Sequence, residues 1–144
     1  MFQAAATRGI HILYDHVLKY HFNVILDATF AYNEALVNVE RSLKRDRKVE
    51  IYYIYQNPQI AWELTKKREA VEHRFVSREV FINAFVASRA NANQAKRAFK
   101  NSIELNLIIK DVRQNTEQIF SDISLVDDYL PRIYTKDELE KIVL

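Results

Sequence analysis

A single glycine, Gly9, serves the whole 144-residue chain. A loop that wraps its backbone around a phosphate needs residues without side chains, because its tight turns take positive φ and its amides must approach the anion closely. Neither GxxxxGK(S/T) nor GxGxxG can be written with one glycine. The chain therefore cannot cradle a triphosphate by either route. Cysteine is absent altogether, which excludes disulfides and thiolate metal sites and accords with a reducing compartment. No stretch approaches the roughly 18 apolar residues of a membrane span, and no apolar core of signal-peptide length follows the opening MFQAAATRG. A soluble, cytoplasmic protein with no membrane partner is expected. The histidines His11, His16, His21 and His73 contain no i, i+4 pair and no HExxH frame, so no metal site is expected. Ser102 and Ser121 have no visible base, and no nucleophilic triad is suggested.

What is present is ordinary for one globular domain spanning 1–144: 49% hydrophobic and 28% charged residues, with 21 basic against 19 acidic side chains. A pI near 8.8 invites a nucleic-acid reading, but the basic residues are not pooled. Only Arg41 to Lys48 (RSLKRDRK) forms a basic run. It reads as a solvated helix end, and no aromatic residue interleaves with it to stack bases. Nucleic acid is not the expected partner.

Ile10, Leu13, Tyr14, Val17 and Leu18 follow the spacing of an amphipathic helix over residues 4–20. Asn23 to Asp27 (NVILD) is a short apolar run that predicts a buried parallel strand. Leu36, Val39 and Leu43 return to helical spacing over 33–46, and Val49 to Tyr55 (VEIYYIY) predicts a second strand. Asn57-Pro58 restarts a helix, with asparagine as N-cap and proline at the first helical position, running to about residue 73. Ser77 caps the next helix, which continues toward Phe99. Leu105 to Ile109 predicts a third strand, and the remainder is expected to be mostly helical, with a capping box at Thr135–Glu138. The alternation implies an α/β fold with a parallel sheet of about three strands flanked by helices. An unpaired edge is expected beside Val24 to Leu26 or Val49 to Tyr55, covered by another copy, a partner chain or the N-terminal helix.

Ligands of open α/β sheets bind outside the carboxyl ends of the strands, which points to Asp27-Ala28-Thr29, Gln56-Asn57 and Lys110-Asp111. A carboxylate and a hydroxyl at a strand end can orient a substrate hydroxyl; both are also common helix caps and loop starters. Arg68 falls on the stripe Ile60, Leu64, Val71, where a guanidinium must snorkel, pair with Glu69 or Glu72, or reach a ligand anion. Arg74, six residues on, lies on a different helix face. The two arginines can meet one phosphate only if the helix breaks near His73. Trp62 and the Tyr52, Tyr53, Tyr55 group read as packing residues.

Taken in order, NVILDATF, a helix, VEIYYIYQNPQIAWELTKKREAVEHR and SREVFINAF resemble the zeta-toxin family of P-loop kinases. That resemblance implies phosphoryl transfer from ATP or GTP with Mg2+ to a small hydroxylated acceptor, such as a UDP-linked amino sugar, by a kinase held inactive by an antitoxin. It implies that Asp27 and Thr29 match the family's acidic-x-Thr motif on the substrate side, with Ala28 in place of the glycine often found between them. It also implies that Arg68 and Arg74 match the catalytic lid arginines that stabilise charge on the transferring phosphates. The family's first strand, Walker A loop and proposed catalytic base would precede Phe2. The chain is therefore expected to be the C-terminal part of a P-loop kinase-like sheet, truncated and inactive alone, and to bind no cofactor unaided. Its partners would be the missing N-terminal half, an antitoxin or another copy. A non-catalytic module that binds an antitoxin or self-associates is the alternative, and an RNA contact at Arg41 to Lys48 is a third.

Overall fold

Local signals start most of the helices in the computed structural model, which describes the backbone of residues 2–144 and side chains from residue 9 onward. Helix α1 spans Phe2–Lys19 and α2 Ala35–Leu43. Strand β1, Val49–Gln56, leads into α3, Pro58–Glu72, where the Asn57 side chain accepts from the amides of Gln59 and Ile60 and Pro58 takes the first position. The Ser77 hydroxyl accepts from the amide of Val80 to open α4, Arg78–Phe99. Strand β2, Ile103–Asp111, follows, then β3, Thr116–Phe120, and the capping box of Thr135 and Glu138 opens α5, Lys136–Ile142.

The fold is α/β, with an open three-stranded sheet in the order β1-β2-β3. β1 and β2 run parallel in the register Val49↔Ile103 to Gln56↔Lys110, while β3 returns antiparallel with Leu107 opposite Phe120. Two expectations need correction. Asn23 to Asp27 is not a strand but irregular, exposed chain, with Ile25 95% accessible. An apolar run becomes a strand only when neighbouring strands take its amides and carbonyls, and none does so here. The third strand is instead Thr116–Phe120, in a stretch read as mostly helical. It forms because Asp111 Oδ1 accepts from the amides of Arg113 (2.9 Å) and Gln114 (3.1 Å), and Asn115 takes positive φ, which closes a turn back onto β2.

Alternation along the strands sorts the sheet into two unequal faces. Tyr55, Leu105 and Leu107 are buried with Ala92 of α4, Ile123 and Val126, and Ile51, Tyr53, Ile109 and Phe120 pack around them. Val39 of α2, Ala95 of α4 and Ile103 form the adjoining cluster. Both helices therefore lie on this face. The C-terminal α5 packs Leu139, and the chain just past its end packs Val143, on Ile82 of α4, beside Trp62 of α3. Helix α1 rests on α2, where the Tyr14 hydroxyl donates to the Asn38 carbonyl (2.8 Å) and bonds the Ser42 hydroxyl (2.7 Å). Among the described residues no helix is long and apolar enough to cross a membrane.

The α5 cap carries a pH dependence. The amide of Thr135 and then the Arg132 guanidinium hold the Glu138 carboxyl below its ordinary value of 4.5. A depressed folded-state pKa means that this contribution is complete above the ordinary value and disappears as pH falls through the folded one. Glu138→Gln is expected to lower the thermal midpoint at neutral pH, with its gap to the unmodified chain narrowing as pH falls below the carboxylate range. A gap independent of pH would refute the assignment.

Candidate functional site

Helix α3 stops at Glu72 because His73 adopts the left-handed conformation, φ 55 and ψ 29, its amide still bonded to the carbonyl of Glu69. Phe75 then lies near Lys66, whose ammonium stands 5.7 Å from that ring and 5.5 Å from the ring of Trp62. The turn redirects the chain so that Arg74 approaches the side of α3 that carries Arg68. Arg68 Nε and an Arg74 terminal nitrogen each lie 3.9 Å from the same oxygen of Glu72. On an uninterrupted helix the six-residue spacing would place them about 240° apart. The helix break that the two arginines require is thus present.

Both guanidiniums are exposed. The stripe read through Leu64 and Val71 faces outward as well, Val71 being 80% accessible, so Arg68 does not snorkel from an apolar face. The inward side of α3 is the one with Ala61, Trp62 and Thr65. Exposed pairs at this distance contribute at most about 1 kcal/mol, so a stronger anion can displace Glu72 at small cost. Glu72 was visible in the sequence only as one of two carboxylate neighbours; its position between both arginines depends on the turn.

The three strand-end candidates fare differently. Asp27 and Thr29 do not stand at a strand end, because no strand forms before them; they lie on the exposed segment that precedes α2, and the chain just beyond them is fastened where the Asn91 side-chain amide of α4 donates to the carbonyls of Phe30 (2.8 Å) and Tyr32 (3.3 Å). Asn91 carried no signal in the sequence, because its role is to hold a loop distant in sequence. Asn57 caps α3, while Gln56 accepts from the Asn57 amide (2.8 Å) and its buried Nε2 has no partner among the described residues. Asp111 closes the β2–β3 turn, and Lys110 faces Glu117 at 4.0 Å. Asp27 and Thr29 share no hydrogen bond or ion pair with Arg68 or Arg74 among the described contacts.

Much of the basic run is engaged within the protein. Arg41 contacts Asp15 and Asn38, Lys44 pairs with Glu40 at 2.7 Å, and Arg47 donates to the Phe22 carbonyl. Lys48 bridges Glu50 (2.8 Å) and Glu104 (2.9 Å). Among the described residues no group of three or more metal-ligating side chains assembles.

No curated protein and no solved structure matches the chain. A family model described as zeta toxin matches residues 1–123. With that match over most of its length, the chain belongs to the zeta toxin family.

Proposed function

We propose that this chain supplies the phosphate-facing and acceptor-facing side chains of a nucleotide-dependent kinase, one that moves a phosphoryl group from ATP or GTP to a small hydroxylated acceptor, of which a UDP-linked amino sugar is one class. The observation that carries this reading is the convergence of Arg68 and Arg74 on one Glu72 oxygen across the His73 turn. A phosphoryl oxygen in place of that carboxylate would meet the same two cations. Guanidinium groups hold phosphate in fixed, charge-assisted geometry. Phosphoryl transfer depends on positioning and charge stabilisation more than on covalent chemistry by the protein, so two arginines at the transferring group are functionally significant. Asp27 and Thr29 are the proposed acceptor contacts, the carboxylate taking a hydrogen bond from the substrate hydroxyl. When bound, Mg2+ with the nucleotide supplies charge neutralisation between the phosphates. Arg68 and Arg74 would act on the outer phosphate oxygens, and Asp27 and Thr29 on the acceptor.

The sole glycine leaves the chain without a backbone cradle for the inner phosphates. The isolated chain is therefore expected to bind polyphosphate weakly and not to turn it over. Calorimetric titration with pyrophosphate and with Mg-ATP should show salt-sensitive binding. Arg68→Ala and Arg74→Ala should each weaken it by about tenfold, the size of one charge-assisted hydrogen bond. Unchanged affinity in both variants would refute the arginine site. Nucleotide consumption at an enzyme-like rate by the purified chain would refute the claim that it lacks a cradle.

A further inference from the structure

Helix α3 carries Arg68 yet buries little of its own surface. Pro58, at its first position, is its one buried residue, and the inward Ala61, Trp62 and Thr65 are only partly covered. Among the described residues, the element it packs against most is α5. The Trp62 indole N–H donates to the Leu144 carbonyl (2.7 Å). Its ring lies against Phe81, with centroids 5.2 Å apart, beside the buried Ile82, Leu139 and Val143. At the start of α4, the Arg78 guanidinium donates to the carbonyls of Glu140 and Val143. Residues 135–144 therefore fasten both α3 and α4, and Arg74 lies on the turn between those helices.

The contacts continue to that turn through Lys66. Its ammonium stands 5.5 Å from the Trp62 ring and 5.7 Å from that of Phe75, and it pairs with Glu69 at 2.7 Å. The Glu69 carbonyl in turn accepts from the His73 amide (2.9 Å). Exposed cation–ring contacts and ion pairs each contribute little. The placement of α3 thus depends on the buried end of this series, Leu139 and Val143.

Building on the phosphate reading of Arg68 and Arg74, we propose that residues 135–144 form a clasp that positions the arginine site, with Trp62 as the positioning residue on α3. Closed, the clasp holds α3 beside α4 so that both guanidiniums converge across the His73 turn. Open, it frees α3, and the two cations no longer face one anion. A site formed in a tenth of the molecules binds about tenfold more weakly, so the clasp sets affinity without touching the ligand.

Trp62 is the sole tryptophan, so its fluorescence reads the clasp directly. Leu139→Ala should make Trp62 more accessible to acrylamide quenching and weaken pyrophosphate binding, measured by calorimetry, about tenfold. Pyrophosphate should restore part of the shielding, because such coupling is reciprocal. Leu139→Met, which nearly conserves volume, should retain both shielding and affinity. Far-UV circular dichroism checks that the sheet core around Leu105 and Leu107, a separate cluster, stays folded. Val143→Ala removes less volume and carries the same test should Leu139→Ala not fold. Two results would overturn the clasp and leave the arginine site standing: Trp62 equally shielded in both alanine variants, or Trp62 exposed with pyrophosphate affinity unchanged. Affinity of the unmodified chain that ignores both Arg68→Ala and Arg74→Ala would overturn the arginine site, and the role of the clasp with it.

Discussion

Leu105→Ala is expected to cost about 2–5 kcal/mol, a cavity-forming loss in a protein whose whole stability should be roughly 5–15 kcal/mol. Leu105 is fully buried on the central strand, at the meeting of β2 with α4 and the segment carrying Ile123 and Val126. Strands β1 and β3 both pair with β2, so little can collapse into the space left behind. The informative control is Ile54→Ala on the adjacent strand. Its side chain points to the open face, and its loss should change stability by no more than about 0.5 kcal/mol in the unassociated chain. Urea midpoints measured at low protein concentration compare the two directly. Equal losses would mean that the face assignment is wrong.

A loss of about 2–3 kcal/mol is expected from Asn93→Ala, by a different route. The Asn93 oxygen accepts from the Val126 amide (2.8 Å), and its nitrogen donates to Asp127 (2.8 Å). Val126 is fully buried, so truncation leaves a buried amide without a partner. Asn93→Asp separates the two bonds. It retains an acceptor for Val126 but sets a carboxylate against that of Asp127, which Arg89 only partly offsets at 3.4 Å. That variant should be destabilised at neutral pH and regain part of the loss on acidification, because the inserted carboxyl has a raised pKa in the folded state and its protonation favours that state. Urea denaturation across the acid range measures this. A loss in Asn93→Asp that does not change with pH would place the contribution in packing rather than in the pair of hydrogen bonds.

The paired arginines and the irregular Asn23 to Asp27 segment show two ways in which local sequence leads to different outcomes. Arg68 and Arg74 could be singled out because their residue types and spacing pose a definite geometric condition, a break near His73, and the left-handed turn there satisfies it. NVILD has the composition of a buried strand, yet its pairing groups depend on neighbours that its own residues do not specify, and it remains irregular and exposed. The converse holds for Thr116–Phe120, where the strand-favouring Thr116, Ile119 and Phe120 are interrupted by Glu117 and Gln118. It becomes a strand because the Asp111 turn returns it beside β2.

Sequence alone determined where most helices begin, because a cap is settled within four residues: Asn57 with Pro58, Ser77, and Thr135 with Glu138 each hold the first amides of the helix they open. It determined as well that the backbone cannot grip a polyphosphate, since that is a count of glycines. Only the tertiary structure decided which runs became strands and which sheet face the helices left open. Those outcomes rest on hydrogen bonds and packing between residues far apart in the chain, and no local pattern can select such partners.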